Sequence, residues 1–352
     1  MKNNLIAVDI AKNIFHIVVF NQAGTEQQKK MLRRGQLLNF FAQQARCRVA
    51  MEACASSHYW GRQLKSLGHE VVLLPPQHVK AYLRGQKNDY NDARAIAEAA
   101  YHGAIRPVRV KTVEQQDEQT FHRLRKHCSR ELTSTSNQLR GLLGEYGIVI
   151  PLGISAVRRE LPFILEDAEN GLSTRCRDLL RMQYEKLLSI SEQLHWYDEQ
   201  LKRQAKEDDV CRRLCEMPGF GPVVSSAVKE WMGDGQQFKR GRCASAALGI
   251  VPKQHSSADK QRLGGITKRG DSTVRSLLIH GARSVVSAAK NKADGLSLWI
   301  NNLVAKRGFN KAVVALANKL LRIAWVIIAR NERYRPRDGE CSSECKLVAE
   351  AS

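Results

Sequence analysis

Three short segments of the sequence place acidic side chains where a metal-dependent reaction could use them. Asp9 lies inside the apolar run LIAVDIAK, and Glu52 ends a second apolar segment within RVAMEAC. An unpaired carboxylate is costly to bury in such surroundings, so a charged partner is expected. Asp89 and Asp92 are three residues apart in KNDYNDARAIAEAA, and a helix beginning there would carry both on one face.

Together these four acids have the composition of a divalent-cation site. Two Mg²⁺ ions about 4 Å apart need oxygen ligands from several directions, commonly strand ends plus a helix. Either aspartate alone has a simpler explanation, because acids are favourable near a helix N-terminus and Asp89 could serve as an N-cap. All four together predict a Mg²⁺ site formed by Asp9, Glu52, Asp89 and Asp92.

The segments that carry these acids alternate between strand and helix patterns. Residues 3–20 contain two apolar stretches across a polar link, which predicts two adjacent strands joined by a tight turn. Further along, the pattern predicts a helix at 37–44, a strand at 48–52, a helix at 59–67 and a strand at 70–74. This half of the chain is therefore expected to be α/β, with Asp9 and Glu52 on neighbouring strands that face one cleft.

The remainder of the chain has a helical pattern. Apolar residues recur every three or four positions over 113–146 and 172–206, separated by a break marked by proline and glycine at 148–162. A mostly helical domain with helices at 272–289 and 311–330 is expected after residue 209. We predict an α/β domain at 1–112, a helical coiled-coil arm at 113–208, an all-α domain at 209–334 and a disordered tail at 335–352.

The charge balance points to a polyanionic partner. The 352 residues include 56 Lys and Arg against 35 Asp and Glu, a formal net charge of +21. Neutralisation of phosphates by such an excess favours nucleic acid binding. An anionic membrane is the weaker alternative, because no segment of about 18 uncharged apolar residues or export signal is visible. Nine scattered cysteines do not suggest a disulfide framework, so a bacterial cytoplasm is expected, with the protein at the nucleoid.

The acidic blocks also resemble a known family. VDIAKNIFHIVVF, MEAC and KNDYNDARAIA, in this order, are similar to the DEDD transposases of the insertion-sequence one-ten family, in particular its eleven-eleven subgroup. The resemblance implies an N-terminal RuvC-like domain of ribonuclease H fold in which four acids bind Mg²⁺. Sugar kinases and actin-like ATPases share only the first block, and the glycine loops that they need are not evident after Phe20.

The resemblance extends to about Arg330 through PGFGPVVSSAV and AALGIVPKQHSSADKQRLGGITKRGDSTVRSLLIHGARSVV. It implies a serine transposase domain whose nucleophile is the fifth residue after Pro252, which is Ser257. Ser256 is adjacent, and nothing else in the sequence distinguishes the two. Many family members have glycine after the serine, whereas Ala258 and Asp259 follow it here. Cations around it that could hold a scissile phosphate are His255, Lys260, Arg262, Lys268 and Arg269.

Two further places are predicted to contact nucleic acid. Pro218, Gly219 and Gly221 in MPGFG have the pattern of a helix-hairpin-helix turn, whose backbone N–H groups can hold a phosphate. An ordinary helix connection that needs glycine is the structural alternative. Arg275, on the helix that follows the serine segment, is either solvated or on DNA.

As a whole, the resemblance implies an insertion-sequence transposase that cuts and rejoins DNA through a phosphoserine linkage, with Mg²⁺ at the carboxylates. It further implies a guide RNA encoded by the element and a homo-oligomer, a dimer or tetramer. Two rival functions remain open from the residues alone. One is a metal-dependent nuclease or junction resolvase in which Ser257 is structural, and the other is a basic nucleic-acid-binding protein without activity.

Overall fold

The computed structural model describes residues 4–86, 88–102, 105–257 and 260–336, without the side chains of residues 256, 257, 260 and 261. The chain divides into two compact units, Met1–Asp117 and Glu118–Ser352. The division of the chain into an arm and a transposase domain stays a prediction, because both predicted regions belong to the second unit.

A mixed five-stranded sheet organises the first unit. Its strands are β1 (Leu5–Ile10), β2 (Ile14–Phe20), β3 (Glu26–Arg33), β4 (Arg48–Glu52) and β5 (Glu70–Leu74), in the order β3-β2-β1-β4-β5. The pairs β1–β2 and β2–β3 are antiparallel, whereas β1–β4 and β4–β5 are parallel. The predicted hairpin and the predicted strand beside it are confirmed, and β4 brings Glu52 to the end of the sheet at which Asp9 lies.

Helices cover both faces of this sheet. They are α1 (Leu37–Ala42), α2 (Ser57–Ser66), α3 (Pro76–Val79) and α4 (Asp89–Tyr101), with 3-10 turns at Arg34–Gln36 and Lys80–Tyr82. Because side chains alternate along a strand, Leu5 and Ala7 pack with α4 on one face. Ile6 and Val8 pack with α1 and α2 on the other. Asp9, two residues after Ala7, therefore belongs to the α4 face.

The sequence pattern missed β3. Its residues EQQKKMLR are mostly exposed and carry no apolar alternation, because β3 is an edge strand whose one partner among the described strands is β2. Charged side chains are common on edge strands, where they discourage pairing with other chains.

Three helices follow the sheet in the chain: α5 (Val113–Gly144), α6 (Ile154–Glu166) and α7 (Thr174–Glu207). Ion pairs join Arg125 to Asp198 and Glu131 to Lys186, so α5 and α7 run antiparallel. Their core is completed by apolar residues of α6.

The expected break at 148–162 is wrong from Ile154 onward, since α6 continues through Pro162. A proline there leaves the carbonyl of Arg158 without its helical partner. The Tyr184 hydroxyl of α7 donates to that carbonyl at 3.0 Å, which lets the helix accommodate the proline.

The remaining elements form a helical core with one hairpin. They are α8 (Asp209–Cys215), α9 (Pro222–Met232), α10 (Gly241–Leu248), β6 (Pro252–Ser257), β7 (Lys260–Ile266), α11 (Ser272–Ala288), α12 (Gly295–Arg307) and α13 (Phe309–Arg330). No sequence pattern predicted α10, α12, β6 or β7. Among the described residues, α13 alone is long and apolar enough to cross a membrane, yet half of its most apolar stretch is buried in this core. Residues 337–352, most of the predicted tail, lie outside the described residues.

Candidate functional site

The acidic site lies where β1, β4 and α4 meet. Asp9 is near the end of β1, and Glu52 is the last residue of the parallel neighbour β4. Asp89 and Asp92 lie in the first turn of α4, which packs on the same face of the sheet. The structure therefore brings all four predicted acids close enough for their charges to interact.

The electrostatics of the site show an excess of negative charge. Burial, followed by the charges of Asp92 and Asp89, raises the pKa of Asp9 from 3.8 to about 6, and Glu52 adds to the effect. Burial and Asp92 likewise raise the pKa of Glu52. Repulsion between carboxylates has this effect when no cation compensates their charge.

These residues fit a divalent cation. The carboxylates come from two strand ends and one helix, and ligand atoms of Asp9 and Asp89 lie within 4.8 Å of each other, which suits a hard cation. Burial and, after it, repulsion raise the pKa of Asp9, and such an ion would offset both, so the chemistry of the donor set and its electrostatics agree.

Asn88, and not Asp89, is the N-cap of α4. The Asn88 side chain accepts a hydrogen bond from the backbone N–H of Tyr90 at 2.9 Å. Capping therefore does not account for Asp89, whose side chain is more than half exposed. Its position in the first turn of α4, where acids are favourable, stays the structural alternative for that aspartate.

Two residues of the site were missed by the sequence analysis. His16 of β2 lies directly opposite Asp9 in the antiparallel register, and its Nδ1 is 3.4 Å from Asp89 Oδ2. Ligand atoms of Asp9, His16 and Asp89 all lie within 4.8 Å of one another. Cys54 is the second, because burial and the charges of Glu52 and Asp9 raise its pKa and keep the thiol protonated. Pairing the two predicted strands across their tight turn would have placed His16 opposite Asp9.

The predicted nucleophile lies on the β6–β7 hairpin of the second unit. Ser257 ends β6 and pairs in register with Lys260, Ser256 pairs with Gln261, and His255 pairs with Arg262. The side chains of Ser257 and Lys260 lie outside the described part of the structure, so the catalytic role of this serine stays a prediction. His255 and Arg262 are exposed.

The other predicted nucleic-acid contacts fall into two groups. Lys268 and Arg269 follow β7 and are exposed, as is Gly221 at the N-cap of α9. By contrast, Gly219 has φ +78°, and a Cβ there would lie 2.7 Å from the carbonyl oxygen of Gly281 in α11. Close packing against α11 therefore requires glycine at position 219, in agreement with the structural alternative of a helix connection that needs glycine.

Arg275 also has a structural role. Its Nη1 donates to the carbonyls of Leu248 and Gly270, each at 3.0 Å, which ties the end of α10 to the start of α11. Contacts of these residues with DNA stay predictions.

Comparison with known proteins gives two family matches. Residues 6–148 match the DEDD family model described as "Transposase", and residues 211–296 match "Transposase IS116/IS110/IS902 family". The first match contains the whole acidic site, and the second contains the hairpin with Ser257.

Full-length relatives agree with these matches. The chain is 41% identical to a "Probable family 20 transposase" of Pseudomonas aeruginosa, over 96% of this chain and all of that protein. It is also 41% identical to the transposase for insertion sequence element IS1111A of Coxiella burnetii, over 94% of this chain and 91% of that protein. The transposase for insertion sequence element IS1328 of Yersinia enterocolitica is 36% identical, over 92% of this chain and 96% of that protein. This chain therefore belongs to the IS116/IS110/IS902 family of transposases, enzymes that cleave and transfer DNA strands.

Proposed function

We propose that this transposase cuts and rejoins DNA through a covalent link to Ser257, with Mg²⁺ held by Asp9, Glu52, Asp89 and Asp92. The observation that carries the metal half of the proposal is the gathering of four acids from three separate elements at one end of the sheet. Membership of the family implies a divalent metal at its DEDD region and DNA as a partner.

The carboxylates would hold the ion on the α4 face of the sheet. When bound, a divalent ion polarises a phosphoryl oxygen and stabilises the charge that develops on the leaving oxygen. Asp9 is the central ligand in this proposal, because it interacts with each of the other three acids.

The serine step conserves the phosphodiester energy. The Ser257 oxygen would bond to phosphorus as the bond to one sugar oxygen breaks, and the serine proton leaves while the sugar oxygen takes one up. Attack by another strand's hydroxyl on the serine-linked phosphate would reverse this exchange and join the new strand. His255 and Arg262, paired in register and exposed, are suited to hold the phosphate near the end of β6.

The proposal also includes the partners that the family resemblance implies. The net charge of +21 suits a protein that binds DNA together with a structured RNA from its own element. We propose that this RNA guides target choice and that a dimer or tetramer acts.

A denaturing gel tests the serine link. Purified protein, its co-purifying RNA, Mg²⁺ and DNA spanning the element's junction are incubated, and DNA covalently attached to protein is measured. We expect attachment in wild type and in the matched control Ser256→Ala, loss in Ser257→Ala, and loss or strong weakening in Asp9→Ala. Ribonuclease treatment beforehand is expected to abolish it.

The rival function gives a different gel. Mg²⁺-dependent cutting that leaves only free DNA ends, unchanged in Ser257→Ala, would identify a metal-dependent nuclease in which this serine is structural. Attachment that survives Ser257→Ala but disappears in Ser256→Ala would transfer the nucleophile to the neighbouring residue.

A further inference from the structure

We propose that His16 is a nitrogen ligand of the divalent ion and makes the site prefer Mn²⁺ over Mg²⁺ more strongly than carboxylates alone would. This inference rests on the proposed metal site at the four acids. It adds to that site a residue of a different chemical class, from a strand that carries none of the acids.

The backbone places His16 in the cluster. Asp9 and His16 are directly opposed in the antiparallel β1–β2 pair, so both side chains project from the same face of the sheet. That face is covered by α4, whose first turn carries Asp89 and Asp92. Ligand atoms of His16, Asp9 and Asp89 consequently lie within 4.8 Å of one another.

The Nδ1 atom of His16 is buried and makes no hydrogen bond within the described part of the chain. It lies 3.4 Å from Asp89 Oδ2, in a geometry that does not form one. A buried polar atom without a partner is destabilising, so such an atom needs an explanation. An ion shared by the imidazole and the two carboxylates would supply the missing partner.

Packing holds the imidazole in this position. The ring of Tyr90 in α4 meets the His16 ring edge to face, with centroids 4.9 Å apart. The side chain of His16 is only 14% exposed, so few other orientations are open to it. A ligand held in place by its neighbours loses little entropy when it binds an ion.

Ligand chemistry then sets the preference among ions. Mg²⁺ is bound almost entirely through oxygen, whereas an imidazole nitrogen suits transition metals. A site with one nitrogen among carboxylate oxygens should therefore favour Mn²⁺ relative to the same site without it. The alternative is that His16 contacts only Asp89 and never touches the ion.

Electron paramagnetic resonance with Mn²⁺ as the probe separates these two roles. Titration of the full-length protein gives the Mn²⁺ affinity, Mg²⁺ competition gives the preference, and spin-echo modulation detects a ¹⁴N nucleus bound to the ion. We expect ¹⁴N coupling in wild type and its loss in both His16→Gln and His16→Asn. Loss of the ligand should lower Mn²⁺ affinity about 10–100-fold, which is at least the effect of losing an outer-shell partner. The affinity for Mg²⁺ should fall much less.

Controls keep the outcomes distinct. His102→Gln changes an exposed histidine at the end of α4 and should leave affinity and ¹⁴N coupling unchanged. Circular dichroism and thermal midpoints show whether each variant is folded, and either folded His16 variant suffices. If Asp9→Asn binds Mn²⁺ as well as wild type does, the metal site itself is refuted. If Asp9→Asn loses Mn²⁺ while both His16 variants keep wild-type affinity and no ¹⁴N coupling appears, only the role of His16 is overturned.

Discussion

Replacing Asp9 by asparagine should make the metal-free protein more stable. Burial and neighbouring acids raise the pKa of Asp9 from 3.8 to about 6, so its ionised form is disfavoured in the fold. A shift of about 2 units corresponds to roughly 3 kcal/mol. Because Asp9 is only partly buried, screening by water reduces the expected effect to roughly 1–2 kcal/mol. Asp9→Asn removes the charge and should recover this free energy above pH 6 in EDTA.

Divalent ions should reverse the order of stability. At a Mg²⁺ concentration about a hundredfold above the dissociation constant, binding stabilises the wild type by roughly 2.7 kcal/mol. This exceeds the advantage of roughly 1–2 kcal/mol that Asp9→Asn has in EDTA, and the variant should gain much less from Mg²⁺. The advantage of the variant in EDTA should shrink as the pH falls from 6 to 3.8 and vanish below 3.8, where Asp9 is protonated in both folded and unfolded states.

Hydrogen exchange read by mass spectrometry on peptides of β1 and α4 measures this local stability. Asp117→Asn, which removes an exposed acid of the same unit, is the matched control and should leave the exchange of these peptides unchanged in EDTA and in Mg²⁺. The reasoning is refuted if Asp9→Asn exchanges faster than wild type in EDTA at pH 7, or if Mg²⁺ protects both proteins equally.

Three further predictions concern the second unit and the whole chain. Gly281→Ala should destabilise strongly, because its Cβ would lie 2.1 Å from the Gly219 carbonyl oxygen, whereas Gly141→Ala in α5 meets nothing within 4 Å and should stabilise by about 0.5–1 kcal/mol; urea unfolding that ranks them the other way would contradict the packing argument. Burial lowers the pKa of His122, which shares a 3.0 Å hydrogen bond with Ser226, to about 4. Stability should therefore be complete above pH 6.5 and fall by roughly 3 kcal/mol as the pH drops to 4, and an equal fall in His122→Gln would refute this assignment. The logarithm of DNA affinity should fall linearly with the logarithm of the salt concentration, so that affinity drops roughly 10³–10⁵-fold between 50 and 200 mM if 6–10 phosphates are contacted. DNA affinity that does not change with salt in filter binding would contradict a phosphate-based interface.

The sequence predicted the elements whose burial pattern is regular. The strands β1, β2, β4 and β5 have apolar runs ended by polar residues, and α4 and α5 have clear helical periodicity. The edge strand β3 was missed, because its solvent-exposed residues carry no such pattern. Pro162 led to the prediction of a break in α6, which the Tyr184 hydrogen bond makes unnecessary, and no local pattern encodes that distant partner.

The candidate site was predictable in part. Acidic residues within apolar runs stand out, and the family resemblance selects the same four. His16 does not stand out, because a histidine in IFHIVVF resembles any half-buried strand residue until the register places it opposite Asp9. The packing role of Gly219 and the carbonyl contacts of Arg275 likewise depend on residues far away in the chain.

Strand cleavage assayed with and without a divalent ion shows whether the acidic cluster supports the reaction through a metal. DNA spanning the element's end is incubated with wild type and with folded Asp9→Asn, in Mg²⁺ and in EDTA. We expect the wild type to cleave the DNA in Mg²⁺ but not in EDTA, and we expect Asp9→Asn to cleave it in neither condition. Cleavage by wild type in EDTA, or undiminished cleavage by Asp9→Asn in Mg²⁺, would contradict it.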